Sequence, residues 1–139
     1  MPVRPLAAQG GVHPVHALLL GFPVSLFTAG LIADIAYLNT AEMQWSNFAA
    51  WAIAGALVVG GVVLAWAAIA ALRGRNGWLY PLLLAVMWVL GLVNAFQHSR
   101  DAWSSVGAPG LILSILSTLA ALTAGWLAFA PRTTGRIIR

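Results

Sequence analysis

The stretch ALLLGFPVSLFTAGLIADIAYL, residues 17–38, contains a single charged side chain, Asp34. A helix needs about 20 apolar residues to cross the hydrocarbon core of a bilayer, which is about 30 Å thick. A cleavable signal has a shorter apolar region, of about 7–15 residues. Residues 17–38 therefore predict a retained membrane-spanning helix.

Three further stretches of similar length and composition follow, at residues 48–72, 78–98 and 110–130. Over the chain of 139 residues, 61% are hydrophobic and 7% are charged, whereas soluble domains carry roughly 25% charged residues. We predict one domain over residues 1–139, an all-α integral membrane protein. Its fold would be a four-helix transmembrane bundle with up-down-up-down topology.

The basic residues are distributed unevenly between the two sides that four crossings define. One side holds six arginines and the other holds only Arg100; the six are Arg4, Arg73, Arg75, Arg132, Arg136 and Arg139. Because basic residues concentrate on the cytoplasmic side, this predicts a multi-pass membrane protein with both termini in the cytoplasm. The few, scattered charges do not indicate a nucleic-acid surface. The absence of cysteine excludes disulfides, iron–sulfur clusters and covalent c-type haem attachment.

Small residues recur every four positions in three of the predicted helices. Such rows let helix backbones approach closely in membranes, so they predict a compact bundle. They also leave open packing against other integral membrane subunits or in a homo-oligomer. The rows are Gly21, Ser25, Ala29 and Ala33; Ala52, Ala56 and Gly60; and Ser117, Ala121 and Gly125.

Two polar clusters are predicted at opposite membrane boundaries. His16 and Asp34 are separated by five helical turns and about 27 Å along one helix face, at 3.6 residues per turn and about 1.5 Å per residue. An inner cluster would contain His13 and His16, near Arg73, Arg75 and Asn76. An outer cluster would contain Asp34 and His98, with Asn94, Arg100 and Asp101.

The histidines and the aspartate allow several ligands. Haem b on His13 or His16 is one hypothesis, but two neighbouring imidazoles are poorly placed to bind opposite faces of one porphyrin, and His98 lies across the membrane. A quinone headgroup could use either the inner histidines or Asp34 and His98. A metal site is less favoured, because a closed site usually needs about four ligands.

Structural interpretations compete with each of these. His13 and His16 could cap the first helix, whose initial amides have no helical partner. Asp34 could form an ion pair with Arg100, with Asp101 nearby, since charges within a membrane usually pair. No hydrolytic or phosphate-binding motif is present, so we expect no catalytic activity of the chain's own.

The run HPVHALLLGFPVSLFTAGLIADIAYL resembles the opening of an uncharacterised bacterial inner-membrane family, catalogued as domain of unknown function 2231. The matching elements are His-Pro-x-His, Phe-Pro and a later aspartate, at His13, Pro14, His16, Phe22, Pro23 and Asp34. The chain departs from many members at Ala17, where they have proline, and in its tail GWLAFAPRTTGRIIR, which lacks their histidine. Some relatives occur beside redox domains such as Rieske proteins, which implies a redox association.

The sequence thus predicts a small accessory or anchoring subunit of an inner-membrane, redox-associated complex. The alternative is a haem b- or quinone-binding electron-transfer protein. A weaker alternative is a membrane protein that handles metal ions or protons.

Overall fold

The computed structural model describes residues 12–100 and 106–130. Within these ranges the chain forms four helices: α1 (Pro14–Thr40), α2 (Met43–Leu72), α3 (Leu79–His98) and α4 (Ala108–Phe129). All four are long and apolar enough to cross a membrane, and the described residues contain no strand. The predicted all-α, four-helix transmembrane fold is confirmed.

The first two helices are longer than predicted and are joined by only two residues. Ala41 adopts a left-handed conformation, with φ 56°, and its N–H donates to the Tyr37 carbonyl, which closes α1. Helix α2 then begins at Met43 rather than at residue 48. Residues 43–47 precede the predicted second stretch, since their composition, MQWSN, is less apolar than that of residues 48–72. They form helix because the ends of membrane helices extend beyond the hydrocarbon core, where polar side chains are tolerated.

Neighbouring helices pack around a closed ring, α1 against α2, α2 against α3, α3 against α4, and α4 against α1. Short connections make sequential helices antiparallel, so the diagonal helices α1 and α3 run in the same direction. Two side-chain hydrogen bonds cross this diagonal, one near the start of both helices and one near the end. We call these regions the His16 end and the Asp34 end.

Buried positions recur at alternating spacings of three and four residues in every helix. This spacing places one seam of each helix against its neighbours, as in left-handed helical bundles. The seam residues are His16, Leu20, Pro23, Phe27, Gly30 and Asp34 in α1; Ser46, Ala49, Ile53, Ala56, Gly60, Val63 and Ala67 in α2; Leu84, Met87, Gly91, Asn94 and His98 in α3; and Gly110, Ser114, Ser117, Ala121 and Ala124 in α4.

Phe27 of α1 packs against Gly91 of α3 across the core. A Cβ atom added at Gly91 would lie 2.5 Å from Phe27 Cζ, so glycine is required for this aromatic ring to fit. Thr118 of α4 donates to the Phe27 carbonyl at 3.0 Å. Trp88 of α3 donates to the Leu57 carbonyl of α2, also at 3.0 Å. Hydrogen bonds between helices therefore supplement the packing.

The rows of small residues are placed differently in the three helices. The rows in α2 and α4 are buried in the bundle. In α1, Ala33 is buried, Ala29 is half-buried, and Gly21 and Ser25 are exposed. The α1 row thus turns from the bundle interior at the Asp34 end towards its outer surface at the His16 end.

Candidate functional site

His13 is the N-cap of α1. Its Nδ1 accepts a hydrogen bond from the Val15 N–H at 3.3 Å, and Pro14 occupies the first helical turn. A side-chain acceptor at this position satisfies one of the unpaired amides of the helix start. Capping was one of the two interpretations of the sequence, and the structure places His13 in that role.

His16 lies one turn further on and is buried, with 4% of its surface exposed. Its Nε2 is 2.9 Å from the Tyr80 hydroxyl of α3, while its Nδ1 is buried and has no hydrogen-bond partner among the described residues. Unlike His13, His16 therefore makes no helix cap. A buried polar atom without a partner carries a free-energy penalty of about 1–3 kcal/mol, so Nδ1 marks a position where a partner would stabilise the protein.

Trp66 of α2 lies close to both histidines. The centroid of its indole ring lies 5.6 Å from that of His13 and 5.5 Å from that of His16. The His16 ring meets the indole edge-on, in a T-shaped arrangement. Both imidazoles therefore pack beside one aromatic side chain.

A cavity of about 870 Å³ opens at this end and is lined by parts of all four helices. His13, His16, Trp66 and Tyr80 form its polar and aromatic wall. Arg75 and Asn76, from the connection between α2 and α3, also line it, as predicted for the inner cluster. Apolar residues complete the lining, among them Ala67, Ala70, Leu79, Leu127 and Ala128. The cavity therefore combines polar and apolar surface in similar proportion, with His13, His16, Tyr80, Arg75 and Asn76 as its polar groups.

The remaining basic residues of the predicted inner cluster do not line this cavity in the described chain. Arg73 is exposed at the end of α2. Arg4, Arg132, Arg136 and Arg139 lie outside the described residues. Arg75 is thus the basic side chain that the structure places at the site.

The Asp34 end holds a buried network from three helices. Asp34 of α1 is 0% exposed and His98 of α3 is 2% exposed. Asp34 Oδ1 lies 2.8 Å from His98 Nε2, and Asp34 Oδ2 accepts a hydrogen bond from the Ser114 hydroxyl of α4. Asn94 Nδ2 donates to Ser114 Oγ at 2.7 Å. The structure therefore brings together Asp34, Asn94 and His98, as predicted, and adds Ser114.

The predicted ion pair between Asp34 and Arg100 is wrong for the described chain. Arg100 is exposed beyond the end of α3, and its Nη1 donates to Gln97 Oε1 at 3.3 Å. His98, two residues earlier, is buried in the bundle interior and pairs with Asp34 instead. Asp101 lies outside the described residues.

The hydrogen bonds at the Asp34 end do not favour the ligands considered there, a quinone headgroup and a metal ion. Both carboxylate oxygens of Asp34 already accept hydrogen bonds, and both ring nitrogens of His98 have partners. A quinone headgroup would find no free hydrogen-bonding group on these two side chains. Across residues 12–100 and 106–130, no group of three or more His, Asp or Glu side chains could hold a metal ion.

A family model described as "Predicted membrane protein (DUF2231)" matches residues 12–130 of the chain. The chain belongs to the DUF2231 family. The resemblance of its opening run is thereby confirmed at the level of the family, which is one of predicted membrane proteins of unknown function. No curated protein and no solved structure matches this DUF2231 chain.

Three residues of the two ends were not singled out from the sequence: Trp66, Tyr80 and Ser114. Trp66 and Tyr80 are aromatic residues near a predicted boundary, which on composition alone indicates an interfacial belt. Ser114 is one of two serines in α4. The spacing along the chain is the signal that could have indicated Tyr80. It follows His16 by 64 positions, the same separation as between Asp34 and His98.

Proposed function

We propose that this DUF2231 protein binds a small ring-shaped ligand of the quinone class in the cavity at the His16 end. One observation carries the proposal: the imidazole of His16 lines a large cavity, yet no residue in the described part of the chain forms a hydrogen bond with its buried Nδ1. A ligand oxygen that reaches Nδ1 would supply that partner.

The chemistry of His16 suits a ligand that exists as quinone and quinol. A neutral imidazole has one donor and one acceptor nitrogen, and a tyrosine hydroxyl can donate or accept. When Tyr80 donates to His16 Nε2, Nδ1 carries a proton and can donate to a quinone carbonyl. When Nε2 donates to Tyr80, Nδ1 accepts and suits a quinol hydroxyl.

The rest of the cavity supports the same class of ligand. The indole of Trp66 offers an aromatic surface beside both imidazoles. Arg75 and Asn76 add donors at the mouth, and the alanines and leucines of α2, α3 and α4 suit an apolar ring and tail. A haem held by one imidazole is the alternative occupant, and optical spectra distinguish it from a quinone.

The test uses the full chain in phosphatidylcholine nanodiscs, titrated with decylubiquinone while tryptophan fluorescence is recorded. We expect a saturable component of quenching that is lost in Trp66→Phe and in His16→Ala. Trp51→Phe is the matched control, because Trp51 is exposed and lies outside the cavity. Equal saturable quenching in the wild type and His16→Ala would contradict the proposal.

Optical spectra of the same preparation, oxidised and reduced with dithionite, decide the haem alternative. A Soret band that disappears in His16→Ala would assign a haem to the cavity. A preparation without that band, with saturable quinone quenching, supports the quinone class.

A second function, an accessory or anchoring subunit of a redox-associated membrane complex, is supported by the exposed part of the α1 row. Gly21 and Ser25 face outward, and nothing lies within 4 Å of a Cβ added at Gly21. A partner helix could approach closely there. Native gels of membranes solubilised in mild detergent should show an assembly that Gly21→Leu disrupts and Leu18→Ala, at an exposed position nearby, preserves. An unchanged assembly in Gly21→Leu would argue against it.

We also propose that the His16 end faces the cytoplasm of a bacterial inner membrane. The support is the distribution of arginines, six on that side against Arg100 on the other. A reporter that is active only in the periplasm should be inactive when fused after α4 and active when inserted between α1 and α2. The reverse pattern would invert the orientation.

A further inference from the structure

The two ring nitrogens of His98 both face hydrogen-bond acceptors. Nδ1 lies 2.9 Å from the backbone carbonyl of Asn94, and Nε2 lies 2.8 Å from Asp34 Oδ1. A carbonyl oxygen can only accept, so Nδ1 must carry a proton and donate. This fixes the protonation of one side of the ring from its surroundings.

The other side of the ring then has two possible states. If Nε2 carries no proton, Asp34 must be a carboxylic acid that donates from Oδ1 to Nε2. If Nε2 carries a proton, His98 is an imidazolium and Asp34 a carboxylate. In both states the pair holds two protons in all and has no net charge.

The third possibility is a neutral ring that donates from Nε2 to a carboxylate. It would place the lone pair of Nδ1 against the lone pairs of the Asn94 carbonyl. It would also leave the negative charge of a fully buried aspartate unbalanced, and an isolated buried charge is strongly disfavoured. The hydrogen-bond distances at both ring nitrogens therefore argue against this arrangement.

Ser114 determines which oxygen of Asp34 shares the proton. Asn94 Nδ2 donates to Ser114 Oγ, so the hydroxyl hydrogen of Ser114 is directed to Asp34 Oδ2. Oδ2 is therefore an acceptor, and the shared proton lies between Oδ1 and Nε2. Asp34 and His98 are the titratable members of this network, while Arg100 is exposed and bonded to Gln97.

We propose that Asp34 and His98 form a buried proton-binding site that holds one shared proton between Asp34 Oδ1 and His98 Nε2. Aspartate and histidine chains within membrane segments serve as proton relays, and proton handling is an activity separate from ligand binding at the His16 end. Loss of the shared proton would leave a buried negative charge. Because both residues are buried, exchange of this proton with water requires the Asp34 end to open.

The first test is NMR of the full chain in lipid nanodiscs, with ¹⁵N-labelled histidine. The chain has three histidines, and loss of one set of signals in His98→Gln assigns His98; if that variant does not fold, a His13→Gln/His16→Gln variant assigns it by elimination. We expect a protonated Nδ1 in His98, with an N–H signal that persists where that of the exposed His13 ring is lost to exchange. An unprotonated Nδ1, or exchange as fast as at His13, would overturn the proposal.

The second test is substitution that balances or unbalances charge. Asp34→Asn can donate to Nε2 and accept from Ser114, so it mimics the protonated acid and should be tolerated. His98→Gln leaves the carboxylate unbalanced and should lower the unfolding midpoint, and adding Asp34→Asn to it should restore much of the loss. If Asp34→Asn destabilises the protein as much as Asp34→Ala does, the site holds no shared proton. Because no residue of the cavity is changed, quinone quenching reports on the proposed function independently.

Discussion

His98 Nε2 lies 2.8 Å from Asp34 Oδ1, and the two residues are 64 positions apart. The same separation joins His16 to Tyr80 at the opposite end of the bundle, and Phe27 to Gly91 in its middle. Helices α1 and α3 thus run in one fixed register across the diagonal of the bundle. The contacts that maintain this register can be tested one at a time.

Gly91→Ala should destabilise the bundle. The new Cβ would lie 2.5 Å from Cζ and 2.7 Å from Cε1 of the buried Phe27 ring, and overpacking of this kind costs about 1–3 kcal/mol. Unfolding in detergent micelles measures the loss. Gly21→Ala is the control, since nothing lies within 4 Å of its new Cβ. Adding Phe27→Leu should restore part of the stability; without such rescue, the loss has another cause.

Ser114→Ala should destabilise the network at the Asp34 end by about 1–3 kcal/mol, the usual penalty for leaving buried polar groups without partners. The substitution removes the donor to Asp34 Oδ2 and the acceptor of Asn94 Nδ2. Ser117→Ala is a matched control, because that buried hydroxyl bonds to the Leu113 carbonyl of its own helix. Equal unfolding free energies for the two variants would show that the network adds nothing.

Thr118→Val should lower the free energy of unfolding by about 0.6 kcal/mol, the average for hydrogen bonds between membrane helices. Its hydroxyl donates to the Phe27 carbonyl of α1, and valine preserves the shape of the side chain. Thr123→Val provides the comparison, since the exposed Thr123 hydroxyl donates within α4 to Leu119. The prediction fails if Thr123→Val has the larger effect.

His13→Ser should preserve both the start of α1 and quinone quenching. Serine is a good N-cap, whereas His13→Ala should lower stability by about 1 kcal/mol through loss of the cap. Amide hydrogen exchange at Val15, whose N–H bonds to His13, measures the cap directly. Loss of saturable quenching in His13→Ser would show that His13 contacts the ligand as well.

The helices and their number were predictable because membrane crossing requires long apolar segments, and the chain has four. The seam between the helices was harder to find. Apolar side chains surround each helix, since lipid and core are equally apolar, so hydrophobicity does not mark the buried face. Small and polar residues mark it instead, at Gly30, Asp34, Gly91 and Asn94. Small residues at every fourth position correctly predicted the buried faces of α2 and α4. In α1 the same pattern predicted a row that is buried at one end and exposed at the other.

The sequence grouped Asp34 with His98 at one boundary and His13 with His16 at the other, as the described structure does, but it did not indicate all of their hydrogen-bond partners. The predicted pairing of Arg100 with Asp34 rested on opposite charges near one boundary. The helical register favours His98, which precedes Arg100 by two residues and faces the interior. The cavity at the His16 end depends on Trp66 and Tyr80, which come from different helices. They meet His16 only when the bundle folds, so neighbouring positions in the sequence do not indicate this contact.

The matched spacing of the polar pairs limits how the protein can adapt to bilayers of different thickness. His16 and Asp34 are separated by the same 18 positions as Tyr80 and His98, about 27 Å of helix at about 1.5 Å per residue. A hydrocarbon core is about 30 Å thick on average. With α1 and α3 pinned to each other at both levels, neither helix can slide or tilt alone to relieve hydrophobic mismatch. Relief must come from tilting of the whole bundle or from thinning or thickening of the surrounding lipid.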